Sequence, residues 1–365
     1  MIDKKYRDEA LNIKKEDISD IPKTVAWESP SNIALIKYWG KKGNQLPLNP
    51  SLSMTLSNLT TVTEIHYKKS ESEEPKIFFR FENEENHPFG KRIKKYLENI
   101  AIYFPFLKFM DLYIESRNNF PHSSGLASSA SALSSVALCI CSIENGLREE
   151  EYSLERFYQK ASYIARLGSG SAARSVYGGY VEWGEHDYGS DEFANKFNHR
   201  IHEHFEFLND TILITSTATK KVSSSEGHSR MKKHPYKEVR IQQAVDNMER
   251  IRKAIKAGDF NKFSRVVENE ALTLHSLMLS SEPGFILLKQ ETIDIINKIK
   301  DAREYKKLPV TFTLDAGPNV HVIYPIHAKV EVREFINTEL MQYCENGKIL
   351  HDFTGSGPAR VDKKL

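Results

Sequence analysis

Residues 120–132 read FPHSSGLASSASA, and the order of residue types in that stretch decides how the chain on either side is read. A proline, a glycine and a run of small side chains lead straight into an apolar stretch, Leu126 to Ile143, LASSASALSSVALCICSI. Small side chains let backbone N–H groups approach a ligand, and a helix N-terminus adds partial positive charge. Both favour phosphate. The hydroxyls of Ser128, Ser129 and Ser131 can add hydrogen bonds or hold a magnesium ion. The same composition equally suits a tightly packed helix start with no ligand. Six serines make 126–143 a poor membrane span and predict a packed helix. No Walker A sequence occurs, so a P-loop fold is not indicated.

Working outward, strand-like alternation marks 51–56, 61–67, 77–81 and 111–114. Helices are predicted over 91–103, 127–144 and 154–166, the last ending at Gly168 as a C-cap. A short strand at 180–183 precedes a polar loop over 184–199, near which a domain boundary is expected. A strand at 211–217 and helical patterns at 236–257, 260–273 and 285–305 follow. FTLDAGPNVHV (312–322) reads as strand, tight turn and strand. A helix over 329–343 and a last strand with a glycine turn over 351–359 close the chain. Strands in groups with helices between them predict an α+β protein of two domains. The expected limits are an N-terminal extension at 1–23, one domain at 24–205 and another at 206–365. The first twenty residues carry eleven charges, so the extension is expected to be solvated and partly helical.

Lys+Arg number 51 against 49 Asp+Glu in 365 residues, a net charge of +2. That balance gives no field for nonspecific nucleic-acid binding. Three cysteines, with no CxxC, suit a reducing compartment. No ligand cluster with zinc spacing is evident. No signal peptide or membrane span is apparent, and a soluble, cytoplasmic protein is expected.

Four further stretches bear on chemistry. RLGSGSAARSVYGGYVEWG (166–184) alternates Ser169 and Ser171 with glycines ahead of Arg174, which can grip a carboxylate or phosphate through two parallel hydrogen bonds. A helix end, a loop and a surface arginine would read the same way. SNIALIKYWGKKGNQLPLNPSLSMTL (31–56) sets Lys37 and Lys41 around Tyr38, Trp39 and Gly40, amines beside an aromatic wall, or simply solvated lysines. TKKVSSSEGHSR (219–230) is a hydroxyl-rich basic loop that suits a phosphate contact or ordinary solvation. Asp315 in DAGPN is a carboxylate after a buried-looking Leu314. It is either a turn aspartate capping its own backbone or a functional group. Together these segments describe a Ser-, Lys- and Arg-rich site for a polyanion.

NIALIKYWGK (32–41), NNFPHSSGLASSAS (118–131), ARLGSGSAARSVYGGYVEW (165–183), TKKVSSSEG (219–227), FTLDAGPN (312–319) and TGSGP (354–358) carry a resemblance to the diphosphomevalonate (mevalonate diphosphate) decarboxylases, a branch of the GHMP kinase superfamily. The segments occur in the family's order and span nearly the whole chain beyond the extension. The resemblance implies a GHMP-kinase-like two-domain fold, with a ribosomal-S5-like N-terminal domain that binds ATP and a ferredoxin-like C-terminal domain. It implies conversion of ATP and (R)-5-diphosphomevalonate to isopentenyl diphosphate, ADP, phosphate and carbon dioxide, a step of the mevalonate pathway. ATP as co-substrate, Mg2+ and a cytosolic homodimer are implied with it.

On the matching positions, Asp315 falls on the catalytic aspartate beside the tertiary 3-hydroxyl, and Arg174 on the arginine that holds the substrate carboxylate. Ser169 and Ser171 fall on substrate-binding serines, Tyr38 and Lys41 on diphosphate contacts, and Ser224 near the transferring phosphate. Ser124, Gly125, Ala127, Ser128 and Ser129 fall in the ATP-phosphate loop, with Ser128 a magnesium ligand. The chain departs from the pattern at Ser225, where some bacterial relatives carry a diphosphate-binding arginine and Arg230 or Lys232 would have to compensate. It departs again at His122 and in the extension. Two alternatives stay open. One is a related enzyme acting on mevalonate or a mevalonate monophosphate, as a 3-kinase or a decarboxylase. The other is a nonenzymatic ligand sensor on the same fold.

Overall fold

The computed structural model describes residues 2–85, 87–120, 127–184, 190–218 and 222–361. The expectations on His122, Ser124 and Gly125, and on the side chain of Ser224, lie outside the described residues.

Among the described residues, seven strands form one sheet and four form a second. The first sheet runs in the order Ala359–Arg360, Lys23–Ile36, Ser51–Lys69, Met110–Asn118 and Ile77–Phe81. Tyr180–Trp183 pairs with the start of Ser51–Lys69, with Ser51 opposite Trp183. The two strands expected at 51–56 and 61–67 are therefore one, Ser51–Lys69. The turn-like residues between them stay within it because the buried Asp352 carboxylate accepts the backbone N–H groups of Ser57, Asn58 and Leu59 at 2.7, 2.9 and 2.8 Å.

The Ser128–Asn145 helix packs on this sheet and is buried along nearly its whole length. Its serines are satisfied internally. Ser134 and Ser135 donate to carbonyls three residues back at 2.9 Å. Their hydroxyls also meet Ser29 and Thr63 at 2.5 and 2.6 Å. Paired hydroxyls let small side chains pack closely without a desolvation penalty. Leu154–Gly168 lies beside it and includes Gly168, which is not the left-handed cap expected. A Cβ there would sit 2.9 Å from Leu133 and Tyr96, so glycine is needed for close packing.

The second sheet is antiparallel, in the order Thr311–Leu314, Val320–Pro325, Leu208–Leu213, Ile349–Phe353. The strand expected to reach Thr217 thus stops at Leu213. Helices Lys237–Ala257, Phe260–Leu279 and Gln290–Tyr305 cover it. The last begins five residues later than its apolar pattern implied. The helix expected at 329–343 is α-helical only over Lys329–Phe335 and then passes through π and 3-10 turns.

One apolar core joins the layers, with Ile33, Leu35 and Met54 from the first sheet packed among Ile212, Met248 and Phe263. The chain end returns too: Ala359 pairs with Glu28 and Arg360 with Trp27, so the 206–365 segment contributes an edge strand to the first sheet. The extension is partly helical, at Ile2–Asp8, and most of its charges face solvent as expected, but it is docked on the domain rather than free. Tyr6 and Ile18 are buried, and Asp3 accepts from Tyr163 at 2.9 Å and from Tyr103. No described helix is long and apolar enough to cross a membrane.

Candidate active site

The strand Lys23–Ile36 is buried almost throughout its second half, and its continuation is fixed by charge. Lys37 N–H donates to Glu270 at 2.8 Å, while the Lys37 carbonyl accepts from Arg240 at 3.0 Å and Asn49 at 2.9 Å. Glu270 and Arg240 meet in a bidentate pair at 2.7 and 2.6 Å, with both side chains buried. Two C-terminal helices thus clamp one backbone residue of the N-terminal sheet. The clamp aims the Lys37 ammonium at Asp315, 3.5 Å from Oδ1. Burial pushes the Lys37 ammonium down in pKa, opposed by Asp315 and Glu270 and reinforced by Arg174.

Asp315 follows the strand Thr311–Leu314 in the turn before Val320–Pro325. The turn is held from three directions. The Asp315 carbonyl meets His275 Nε2 at 3.0 Å and Gly317 N–H at 2.7 Å. The Pro318 carbonyl accepts from Thr215 and Thr292 at 2.9 and 2.7 Å. Asn319 Oδ1 accepts the N–H groups of Thr215 and Ser216. The backbone is therefore committed, and the Asp315 carboxylate is free to face the cleft rather than cap its own turn.

Arg174 comes from the 3-10 turn Gly170–Val176 and is 2% exposed. It donates to Ser51 Oγ at 2.9 Å, and its guanidinium lies 5.9 and 5.7 Å from the rings of Tyr38 and Trp183. Its Nε has no partner, and no carboxylate pairs with it among the described residues. Burial brings its pKa down to about 10, with Tyr38 and Asp315 opposing. An enclosed guanidinium with an unused donor is prepared for an anion. Burial raises the Tyr38 phenol, whose oxygen is likewise unpartnered.

These groups line a single cavity of ≈ 390 Å3. Lys41, Ser169, Ser171, Ala127, Ser128 and Ser129 also line it. Ala127 holds a left-handed conformation, φ 51°, at the start of the Ser128–Asn145 helix. Among the described lining residues, Lys37, Lys41, Arg92 and Arg174 stand against one carboxylate, Asp315. That imbalance fits a polyanion. Lys41 donates to Gln45 at 2.8 Å, and its ammonium is pushed down by burial and by Arg92 and Lys232.

The sequence raised Lys37 only as one of two amines in its motif and Ser225 only as a departure from the family pattern, and it passed over Ser51, Arg92, Ser223 and His228 as site residues. Ser51 supports Arg174, while Arg92, Ser223, Ser225 and His228 line the cavity. Ser131 does not line it: its hydroxyl is buried against Thr61 at 2.6 Å. Arg230 is engaged elsewhere, with Glu226 at 2.6 Å and above the Phe285 ring. It does not take up the position left by Ser225. Away from the cleft, ligand-type atoms of His202, Glu203 and His204 lie within 4.8 Å of one another, a grouping that zinc spacings do not reveal. His202 Nδ1 is already used as a cap for the His204 N–H.

Residues 29–194 match the family model of the diphosphomevalonate decarboxylase-like N-terminal domain. Residues 211–360 match that of the mevalonate 5-diphosphate decarboxylase C-terminal domain. A diphosphomevalonate decarboxylase of Ganoderma lucidum is 32% identical, over 92% of this chain and 86% of its own length. The mevalonate diphosphate decarboxylase of Staphylococcus aureus superposes with a TM-score of 0.80 at 28% identity, covering 94% of this chain and 99% of that one. A structure of MDDEF in complex with MVAPP, AMPPCP and magnesium gives a TM-score of 0.79 at 28% identity, over 94% and 100%. The fold is thus the two-domain GHMP-kinase type seen in those structures. With both halves matched and the cleft built from both, the chain belongs to the diphosphomevalonate decarboxylase family.

Proposed function

We propose that the cleft converts 5-diphosphomevalonate and ATP to isopentenyl diphosphate, ADP, phosphate and carbon dioxide. The observation that carries this reading is the pairing, in one cavity, of a buried arginine without a carboxylate partner and an aspartate held 3.5 Å from a buried lysine. The first suits the substrate carboxylate and the second the reacting hydroxyl. The MDDEF neighbour binds MVAPP, AMPPCP and magnesium, which supports the same ligands here.

In this reading the tertiary 3-hydroxyl lies against Asp315, which orients it or takes its proton as the oxygen attacks the γ-phosphorus of ATP. Lys37 offsets the carboxylate's charge and stays close to the developing phosphate. As that O–P bond forms, the β,γ bond of ATP breaks and ADP leaves with its electron pair; the phosphate of the new ester then departs with the C–O bonding pair, leaving positive charge on the carbon. The C–C bond to the carboxylate breaks, its electron pair forms the alkene, and carbon dioxide is released. Arg174 fixes the carboxylate for that cleavage. Its role is orientation first, since a grip that strengthened with retained charge would oppose loss of carbon dioxide. Lys41 and Tyr38 anchor the remote 5-diphosphate, whose binding energy positions the reacting centre. Ala127, Ser128 and Ser129 bring the helix start to the ATP phosphates.

The donor set fits magnesium, which keeps most of its waters and is held by few protein oxygens plus substrate phosphates. Ser128, which lines the cavity, is the residue that would meet it, and the ion would supply charge neutralisation to the transferring phosphoryl group. A homodimer, and limits at 24–205 and 206–365, complete the proposal.

The test is direct. Incubate the protein with ATP and, separately, mevalonate, its monophosphate and its diphosphate, and measure ADP and carbon dioxide. Equimolar ADP and carbon dioxide from the diphosphate alone is expected. ADP without carbon dioxide would make the protein a 3-kinase, and no turnover of any of the three would make it a sensor.

A further inference from the structure

His228 belongs to no role assigned above. Its ring lies between two aromatic faces, 4.4 Å from the Tyr38 centroid and 4.6 Å from that of Trp39. The Gly40 N–H donates to its Nδ1 at 2.9 Å. The preceding Gly227 makes the approach close enough: a Cβ there would meet the Trp39 ring at 2.5 Å. The helix Ser224–Arg230 is thereby seated on the Tyr38–Gly40 segment, with the imidazole lining the cavity.

The hydrogen bond decides the tautomer. A neutral ring that accepts at Nδ1 carries its proton at Nε2. Nε2 has no hydrogen-bond partner among the described residues. Burial and the nearby charges of Lys41 and Arg174 bring the pKa of His228 down to about 3. The ring is therefore uncharged at neutral pH, with one free donor. Tyr38, Lys41 and Arg174 stand around it, and Asp315 lies farther along the same cavity.

We propose that His228 binds the substrate's 5-diphosphate as a neutral imidazole, donating Nε2–H to a phosphate oxygen while Gly40 fixes the ring through Nδ1. The proposal rests on the reading of the cleft as a diphosphomevalonate site. A neutral donor suits this position. It adds a directed hydrogen bond without a further cation beside Lys41 and Arg174, where added charge is costly. It also joins the Ser224–Arg230 helix to the Tyr38–Lys41 segment through the ligand. Because the diphosphate is remote from the breaking bonds, the contact acts on binding more than on the chemical step.

The experiment compares His228→Phe, which keeps an aromatic ring but removes both nitrogens, with His228→Gln, whose amide N–H can replace Nε2–H. Loss of a hydrogen bond to a charged group predicts a KM for 5-diphosphomevalonate raised about 10- to 100-fold in His228→Phe, with a much smaller change in kcat. His228→Gln should recover most of that loss. Inorganic pyrophosphate serves as the turnover-independent probe: calorimetry should show it binding more weakly to His228→Phe by a similar factor. Far-UV circular dichroism and thermal melting verify that both variants are folded. An unchanged KM and unchanged pyrophosphate affinity in folded His228→Phe would overturn the proposal. So would a His228 ring that titrates near pH 6.5 by NMR. If pyrophosphate binding depends on His228 while the wild type turns over no mevalonate substrate, the functional reading fails and the anion site stands.

Discussion

Replacing Arg174 by lysine keeps a cation but changes when that cation exists. Burial, partly offset by Tyr38 and Asp315, lowers the guanidinium from 12.5 to about 10, a net cost to the charged form of ~3.4 kcal/mol at 1.36 kcal/mol per pH unit. Arginine tolerates this because it starts so high. A lysine starts near ~10.4, so the same desolvation leaves its ammonium titrating near pH ~8. Arg174→Lys should therefore be mostly charged at pH 7 and about nine-tenths neutral by pH ~9. Losing the planar fork adds a pH-independent penalty of ~2–3 kcal/mol, or about 30- to 150-fold in kcat/KM. The assay is kcat/KM for 5-diphosphomevalonate from pH 6.5 to 9.5, followed by ADP release and by carbon dioxide. The ratio of variant to wild type is the informative quantity, because Lys37, whose ammonium burial also pushes down, is common to both enzymes and cancels in it. The ratio should be flat below pH ~7 and fall about tenfold for each pH unit above ~8. A flat ratio across the whole range, or activity at pH 7 within twofold of wild type, would refute a buried carboxylate-holding role.

Asp315→Asn should nearly abolish ADP formation while leaving equilibrium binding of the diphosphate substrate within a few-fold, and near-normal turnover would remove Asp315 from the chemistry. Glu270→Gln leaves Arg240 buried without its carboxylate and should lower unfolding free energy in urea by ~3–5 kcal/mol; it should also lower kcat by loosening the clamp on Lys37. A stability loss with unchanged kcat would show that the clamp does not position the ammonium. Deleting residues 1–22 uncovers the surface that Tyr6 and Ile18 cover and should cost at least ~3 kcal/mol in the same assay. A neutral truncation would show that the extension's packing contributes nothing. Acid unfolding of His228→Met should be milder than that of wild type. A group with folded pKa near 3 and an unfolded value near ~6.5 takes up its proton mainly on unfolding, so its destabilising effect grows as pH falls through that window.

Local patterns predicted local structure well. The hairpin around Asp315 is written in alternation and in Gly-Pro-Asn, and it folds as Leu314 opposite Val320. What failed had distant causes. Ser51–Lys69 runs on as one strand because Asp352, almost three hundred residues away in sequence, accepts the N–H groups at the point where the pattern breaks. Gly168 reads as a cap on its own, but its neighbours Leu133 and Tyr96 come from two other helices. The extension's charges suggested solvation, yet Asp3 finds the hydroxyls of Tyr103 and Tyr163.

The site divides along the same line. Asp315, Arg174, Ser169, Ser171, Tyr38 and Lys41 sit in short motifs whose residue types already implied an anion, and all of them reach one cavity. Lys37 lies in the same motif as Lys41, but composition cannot separate two lysines four residues apart. Burial does. Lys37 is 2% exposed, and a buried ammonium persists only beside compensating charge. That charge comes from Asp315, with Glu270 holding the Lys37 backbone, and both arrive from the C-terminal half. The Lys37–Asp315 pair is thus assembled by the docking of the two sheets. A variant that keeps every motif residue but weakens the Glu270–Arg240 contact should lose activity before it loses either layer's secondary structure. That makes domain docking, rather than any one motif, the step on which the site's geometry depends.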